Sequence, residues 1–106
     1  MPKYMFEARY NTEGVRAIAD KGGSARRDAV AKAFEASGGE MEGFYFAFGR
    51  SDAYVFGELP DNETAAAVAL AVNSDDRVGA KTVVLLTPEE IDAAAEKAVE
   101  YTGPGG

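Results

Sequence analysis

Between Gly39 and Asp61 the chain carries two apolar, aromatic runs almost back to back. Met41 to Phe48 reads Met-Glu-Gly-Phe-Tyr-Phe-Ala-Phe, and Ala53 to Leu59 reads Ala-Tyr-Val-Phe-Gly-Glu-Leu. Only Gly49-Arg50-Ser51-Asp52 separates them. Runs of β-favouring residues joined by a short Gly/Ser/Asp link predict a β-hairpin. A hairpin with one face in water alternates apolar with polar residues. Here both faces of both strands are largely apolar, so something must cover each face.

The flanking sequence supplies one cover. Lys3 to Tyr10 reads as a strand, with Tyr4, Phe6, Ala8 and Tyr10 on one face and Met5, Glu7 and Arg9 on the other. Asn11 or Thr12 is placed to cap a helix that ends near Lys21, with Val15 and Ile18 on its apolar side. Gly22-Gly23 interrupts it. A second helix is expected from Ser24, as a cap, to about Ser37, buried along Val30, Ala33 and Phe34 and stopped by Gly38-Gly39. After the hairpin, Asp61 or Asn62 caps a third helix to about Asn73; its run of alanine, valine and leucine predicts tight packing all round. Arg77 to Thr87 reads as a fourth strand. Thr87-Pro88-Glu89-Glu90 then opens a last helix, with Thr as cap and Pro at the first position, ending near Tyr101.

The resulting order is βαββαβ plus a C-terminal helix. This is an α+β, ferredoxin-like arrangement on a four-stranded antiparallel sheet. One domain over residues 1–101 is expected, followed by a loose tail at 102–106. Helices cover one face of such a sheet. The second apolar face calls for a second copy, which predicts a homodimer, or a higher oligomer built from dimers, with sheets packed face to face as a dimeric α+β barrel.

Composition narrows the chemistry. A net charge of −7 argues against nucleic acid and against an anionic membrane surface as partners. The chain has neither cysteine nor histidine. Disulfides, thiolate or imidazole metal sites, and imidazole-based triads are therefore excluded, and neither a metal nor a cofactor is expected. With no membrane-spanning run and no signal-peptide core at Met1-Pro2-Lys3-Tyr4, a cytoplasmic location is expected.

These residues also carry a resemblance. Pro2-Lys3-Tyr4, Gly22-Gly23-Ser24-Ala25-Arg26-Arg27, Gly38-Gly39, Phe48-Gly49, Leu59-Pro60-Asp61-Asn62 and Leu86-Thr87-Pro88-Glu89-Glu90 together resemble the GYD-domain family of small bacterial proteins, from about Pro2 to Ala95. The resemblance implies the dimeric α+β barrel fold and supplies no activity. The sequence also departs from the family's name motif. Gly49-Arg50-Ser51-Asp52 keeps the aspartate but has Ser51 where a tyrosine is expected.

Candidate site residues each carry two readings. Asp52 is either a carboxylate at a cavity mouth or a turn residue bonding its own backbone. Arg26 and Arg27, at a helix start where the macrodipole disfavours cations, are either anion receptors or a solvated face. Tyr4, Phe6, Tyr45 and Tyr54 are either pocket lining for an apolar or aromatic molecule or plain core. Lys81 is either a buried amine for proton transfer or an edge-strand lysine that discourages aggregation. The leading reading is a module that binds a small apolar or aromatic molecule between sheets, or serves assembly. The alternative is a cofactor-independent oxygenase or isomerase using Asp52, Tyr45 or Lys81.

Overall fold

The structure is a computed structural model that describes all 106 residues. Its elements follow the expected order: β1 (Lys3–Tyr10), α1 (Thr12–Lys21), α2 (Gly23–Ala36), β2 (Glu40–Phe46), β3 (Ala53–Glu58), α3 (Asn62–Asn73), β4 (Val78–Leu85) and α4 (Pro88–Ala95). The four strands form one sheet in the order β2-β3-β1-β4, with every neighbouring pair antiparallel. This is the ferredoxin-like βαββαβ arrangement with one helix added.

Alternation along β1 decides which face is buried. Tyr4, Phe6 and Ala8 are buried beneath the helices, together with Ala53 and Val55 of β3. The core forms where Tyr4, Phe6 and Val55 meet Phe34 of α2, Leu59 just after β3 and Ala65 of α3, with Phe6 and Phe34 edge to face at 5.8 Å. Gly57 in β3 makes that contact possible: a Cβ there would collide with the Phe34 ring and stand 2.7 Å from the Glu40 carbonyl oxygen.

β2 holds an irregularity that sorts its aromatics. Met41 pairs with Gly57 and Gly43 with Phe56, so Glu42 is an extra residue in a β-bulge. Beyond the bulge Phe44 stands opposite Val55 and Phe46 opposite Ala53, both on the helix side, while Tyr45 faces the other way opposite Tyr54.

Three helix starts follow the sequence reading. Asn11 accepts from the Gly14 amide, Asp61 from the Thr64 amide, and Thr87 forms a full capping box with Glu90. Other expectations need correction. Ser24 does not cap α2; the helix begins one residue earlier, after Gly22 at φ 95°, with no side-chain cap. Ala33 is exposed, leaving Phe34 buried and Val30 half-buried. α3 is covered on one side only: Ala65 is buried, while Leu70 is 74% exposed, because this helix rests on β4 with nothing beyond it. The first hairpin run ends as a strand at Phe46, and Phe48 lies fully exposed in the connection. The last helix stops at Ala95 rather than near Tyr101. Every residue from Pro88 onward is exposed, so no packing extends the helix further.

Candidate functional site

The helix side of the sheet contains two cavities that meet. α2 packs on β2 and on α1, while α3 packs on β4. Between them lies a narrow apolar cleft of about 40 Å³, floored by Phe6, Ala8, Val55 and Ala80 and walled by Val30, Phe34 and Val68. A larger cavity of about 250 Å³ opens between α1, α2 and the start of β4, lined by Ile18, Lys21, Ala25, Asp75 and Arg77 among others. Tyr10, Arg26 and Val78 belong to both.

At that junction the Arg26 Nε donates to the Tyr10 hydroxyl at 3.2 Å, and its guanidinium carbon lies 5.5 Å from the centre of the Tyr10 ring. Across the cavity, Arg77 grips Asp75 twice, Nε to Oδ1 at 3.0 Å and Nη2 to Oδ2 at 2.8 Å. Arg77, through these bonds and its backbone N–H, pulls the Asp75 carboxyl down to about 2.

The opposite face of the sheet is covered by no other part of the chain, and its side chains form rungs. One rung is Glu40, Glu58, Lys3 and Leu85 across β2, β3, β1 and β4. The next is Gly43, Phe56, Met5 and Val83, and the third is Tyr45, Tyr54, Glu7 and Lys81. At the first rung Lys3 Nζ reaches Glu42 at 2.9 Å and Glu58 at 3.0 Å. Those bonds raise the Lys3 amine and lower the Glu58 carboxyl from their ordinary values. At and beyond the third rung, Glu7, Arg9, Arg50, Ser51 and Lys81 border an open polar groove, and the Arg9 guanidinium donates to the Arg50 carbonyl oxygen.

The residues singled out by sequence fall into separate places. Tyr4 is core; its hydroxyl donates to Asn62 Oδ1 at 2.7 Å, and burial raises its phenol above the usual range. Phe6 is core and also floors the cleft. Arg26 lines both cavities, while Arg27, one residue on, points to solvent and pairs with Asp28 at 3.1 Å. Asp52 bonds a neighbouring strand rather than its own turn: its Oδ2 accepts the Tyr10 N–H at 2.8 Å. Tyr45 and Lys81 share a rung but stand on the two edge strands, three strand spacings or about 14 Å apart. Asp52, Tyr45 and Lys81 therefore do not converge within the chain. Tyr10, Lys21, Asp75 and Arg77 were not among the candidates; Tyr10 alone carried a signal, its phase with Tyr4, Phe6 and Ala8.

No curated protein and no solved structure matched the chain. No helix is long and apolar enough to cross a membrane. The family comparison does match, assigning a GYD domain to residues 4–95. With that match covering most of the sequence, the chain belongs to the GYD-domain family.

Proposed function

We propose that this protein works as a homodimer whose open sheet faces pack together, enclosing a space for a small apolar or aromatic molecule. The observation that carries the reading is the middle rung of the open face. Met5, Phe56 and Val83 are half-buried apolar side chains with no cover from their own chain, flanked by Tyr45 and Tyr54. A contiguous apolar strip across a whole sheet favours association.

Charge supports a second copy as the occupant. One end of the face has Lys3 between Glu42 and Glu58, leaving a net negative charge. The other end has Arg9, Arg50 and Lys81 against Glu7, leaving a net positive charge. Two copies related by a two-fold axis across the strands place each negative end over a positive one. Cytoplasmic residence fits this reading.

The aligned faces place the tyrosines of the third rung at the margin of the shared interior, where a hydroxyl can orient a bound ring. The alternative enzyme reading needs a proton-transfer set, and the dispersal of Asp52, Tyr45 and Lys81 argues against one within a protomer. Native mass spectrometry is the test. A dimer with added mass lost on denaturation supports both parts of the proposal. A dimer without it leaves assembly alone, and a monomer at micromolar concentration refutes the reading.

A further inference from the structure

The cavity on the helix side lies on the other face of the sheet, so what it binds is independent of whether two copies pair. Three features of it concern charge. Arg26 is held in place by Tyr10 through one hydrogen bond and the ring face, yet no carboxylate of the chain pairs with it. Its two terminal nitrogens, the arms of the guanidinium fork, remain free for a ligand. Lys21 lines the same cavity without an ion-pair partner. The one carboxylate in the lining, Asp75, is hydrogen-bonded by Arg77 and reaches Arg26 only through its longer-range field. In a chain of net charge −7, this cavity concentrates unpaired positive charge.

A fourth feature concerns shape. Arg26 stands where the cationic cavity meets the apolar cleft walled by Val30, Phe34 and Val68. Molecules that satisfy both sides have an anionic head and a short apolar body. A planar guanidinium fork with its stem fixed matches a carboxylate through two parallel N–H···O bonds. Half of the cavity lining is apolar, which suits an organic acid better than a free inorganic anion. α2 also begins without a side-chain cap or an acidic residue in its first turn, so its amide dipoles add to the positive field at Gly22 and Ala25.

We infer that the cavity between α1, α2 and β4 is a receptor for a small amphipathic carboxylate, with Arg26 gripping the carboxylate and the apolar part of the cavity lining, Ile18, Ala25, Ala29 and Val78, taking the apolar body. Tyr10 acts as a positioning residue for Arg26, and Lys21 adds charge at the mouth.

An amide-resolved NMR titration of the full chain with hexanoate and benzoate at millimolar concentration tests this, with hexanol, benzyl alcohol and inorganic phosphate as controls. The carboxylates are expected to shift the amides of Tyr10, Arg26 and Val78 saturably, with the alcohols and phosphate binding about tenfold more weakly or not at all, the cost of losing either the charged fork or the apolar contacts. Arg26→Gln should weaken both carboxylates about tenfold by removing the fork. Arg26→Lys, which keeps charge and the aliphatic stem, should fall between wild type and Arg26→Gln; it replaces that variant if the glutamine chain does not fold. Arg27→Gln should bind as wild type does. Absence of saturable shifts with either carboxylate overturns the inference. So does an affinity unchanged in the Arg26 variants, or phosphate binding as tightly as hexanoate.

Discussion

The carboxylate of Asp52 accepts the backbone N–H of Tyr10 at 2.8 Å, and in return the Asp52 N–H donates to the Ala8 carbonyl at 2.8 Å. The residue that ends the β2–β3 connection thereby continues the β1–β3 ladder past its last paired residues. It also fixes the strand end from which Tyr10 reaches Arg26. Replacement by alanine leaves the half-buried Tyr10 amide without its acceptor and should cost about 1–2 kcal/mol. Asp52→Asn keeps an acceptor oxygen and should cost well under half as much. Urea denaturation of both variants provides the comparison; equal losses would mean that the charge, rather than the hydrogen bond, holds the strand.

Gly57 and Phe34 form a coupled pair, because the ring occupies the space a side chain at 57 would need. Gly57→Ala should destabilise by about 1–3 kcal/mol through overpacking. Phe34→Ala should cost about 3–5 kcal/mol by opening a void. The double variant should cost clearly less than their sum, since the new methyl group then enters the void. Chemical denaturation of the full cycle reads the coupling directly, and strict additivity would contradict the contact.

Asp75 gives a pH signature. Arg77 holds its carboxyl at about 2, below the ordinary 3.8, so the charged form is favoured by folding. The stability this contributes is complete above the unfolded value and is lost as pH falls through about 2. The difference in stability between wild type and Asp75→Asn should be largest at neutral pH and should close between about pH 4 and pH 2. Thermal melts across that range check the sign; a gap that widened on acidification would reverse it.

For the open sheet face, Phe56 and Val55 are neighbours with opposite roles. Val55 is 4% exposed beneath the helices, whereas Phe56 lies on the uncovered side. Phe56→Glu should leave the fold intact and weaken the proposed self-association at least about tenfold. Val55→Glu buries a charge without a partner and should unfold the domain. Light scattering and circular dichroism separate the two effects. An unaltered oligomeric state in Phe56→Glu would remove this face from any interface.

Much of the architecture was legible because its determinants are local. The alternation of Tyr4, Phe6 and Ala8 against Met5, Glu7 and Arg9 is a period-two signal, and Asn11, Asp61 and Thr87 sit next to the amides they cap. The start of α2 misled because Ser24 has the chemistry of a cap, while Gly22 has the backbone freedom that the turn at φ 95° requires. α3 misled because an all-apolar helix suggests burial on every side, yet only its sheet side is covered here: Ala65 packs into the core while Leu70 is exposed. The cavity was hardest to read. Arg26 and Arg27 stand four and three residues before Val30, so helical periodicity places both near the buried stripe. Only the tertiary placement of Tyr10 beside α2 separates the arginine that lines the cavity from the one that pairs with Asp28.

Glu42, the extra residue of the β2 bulge, bears on how this strand tolerates changes in length. Removing one residue from a regular strand transposes everything after it to the wrong side. Between Met41 and Phe44 the opposite holds. A deletion of Glu42 would let Met41 and Gly43 become consecutive rungs while Phe44, Tyr45 and Phe46 keep their present sides. Only the Lys3 contact and some local twist would be surrendered. The same deletion at Tyr45 would carry Phe46 out of the helix side. Along β2, then, the bulge is the place where one residue can be removed without moving the later side chains to the other face.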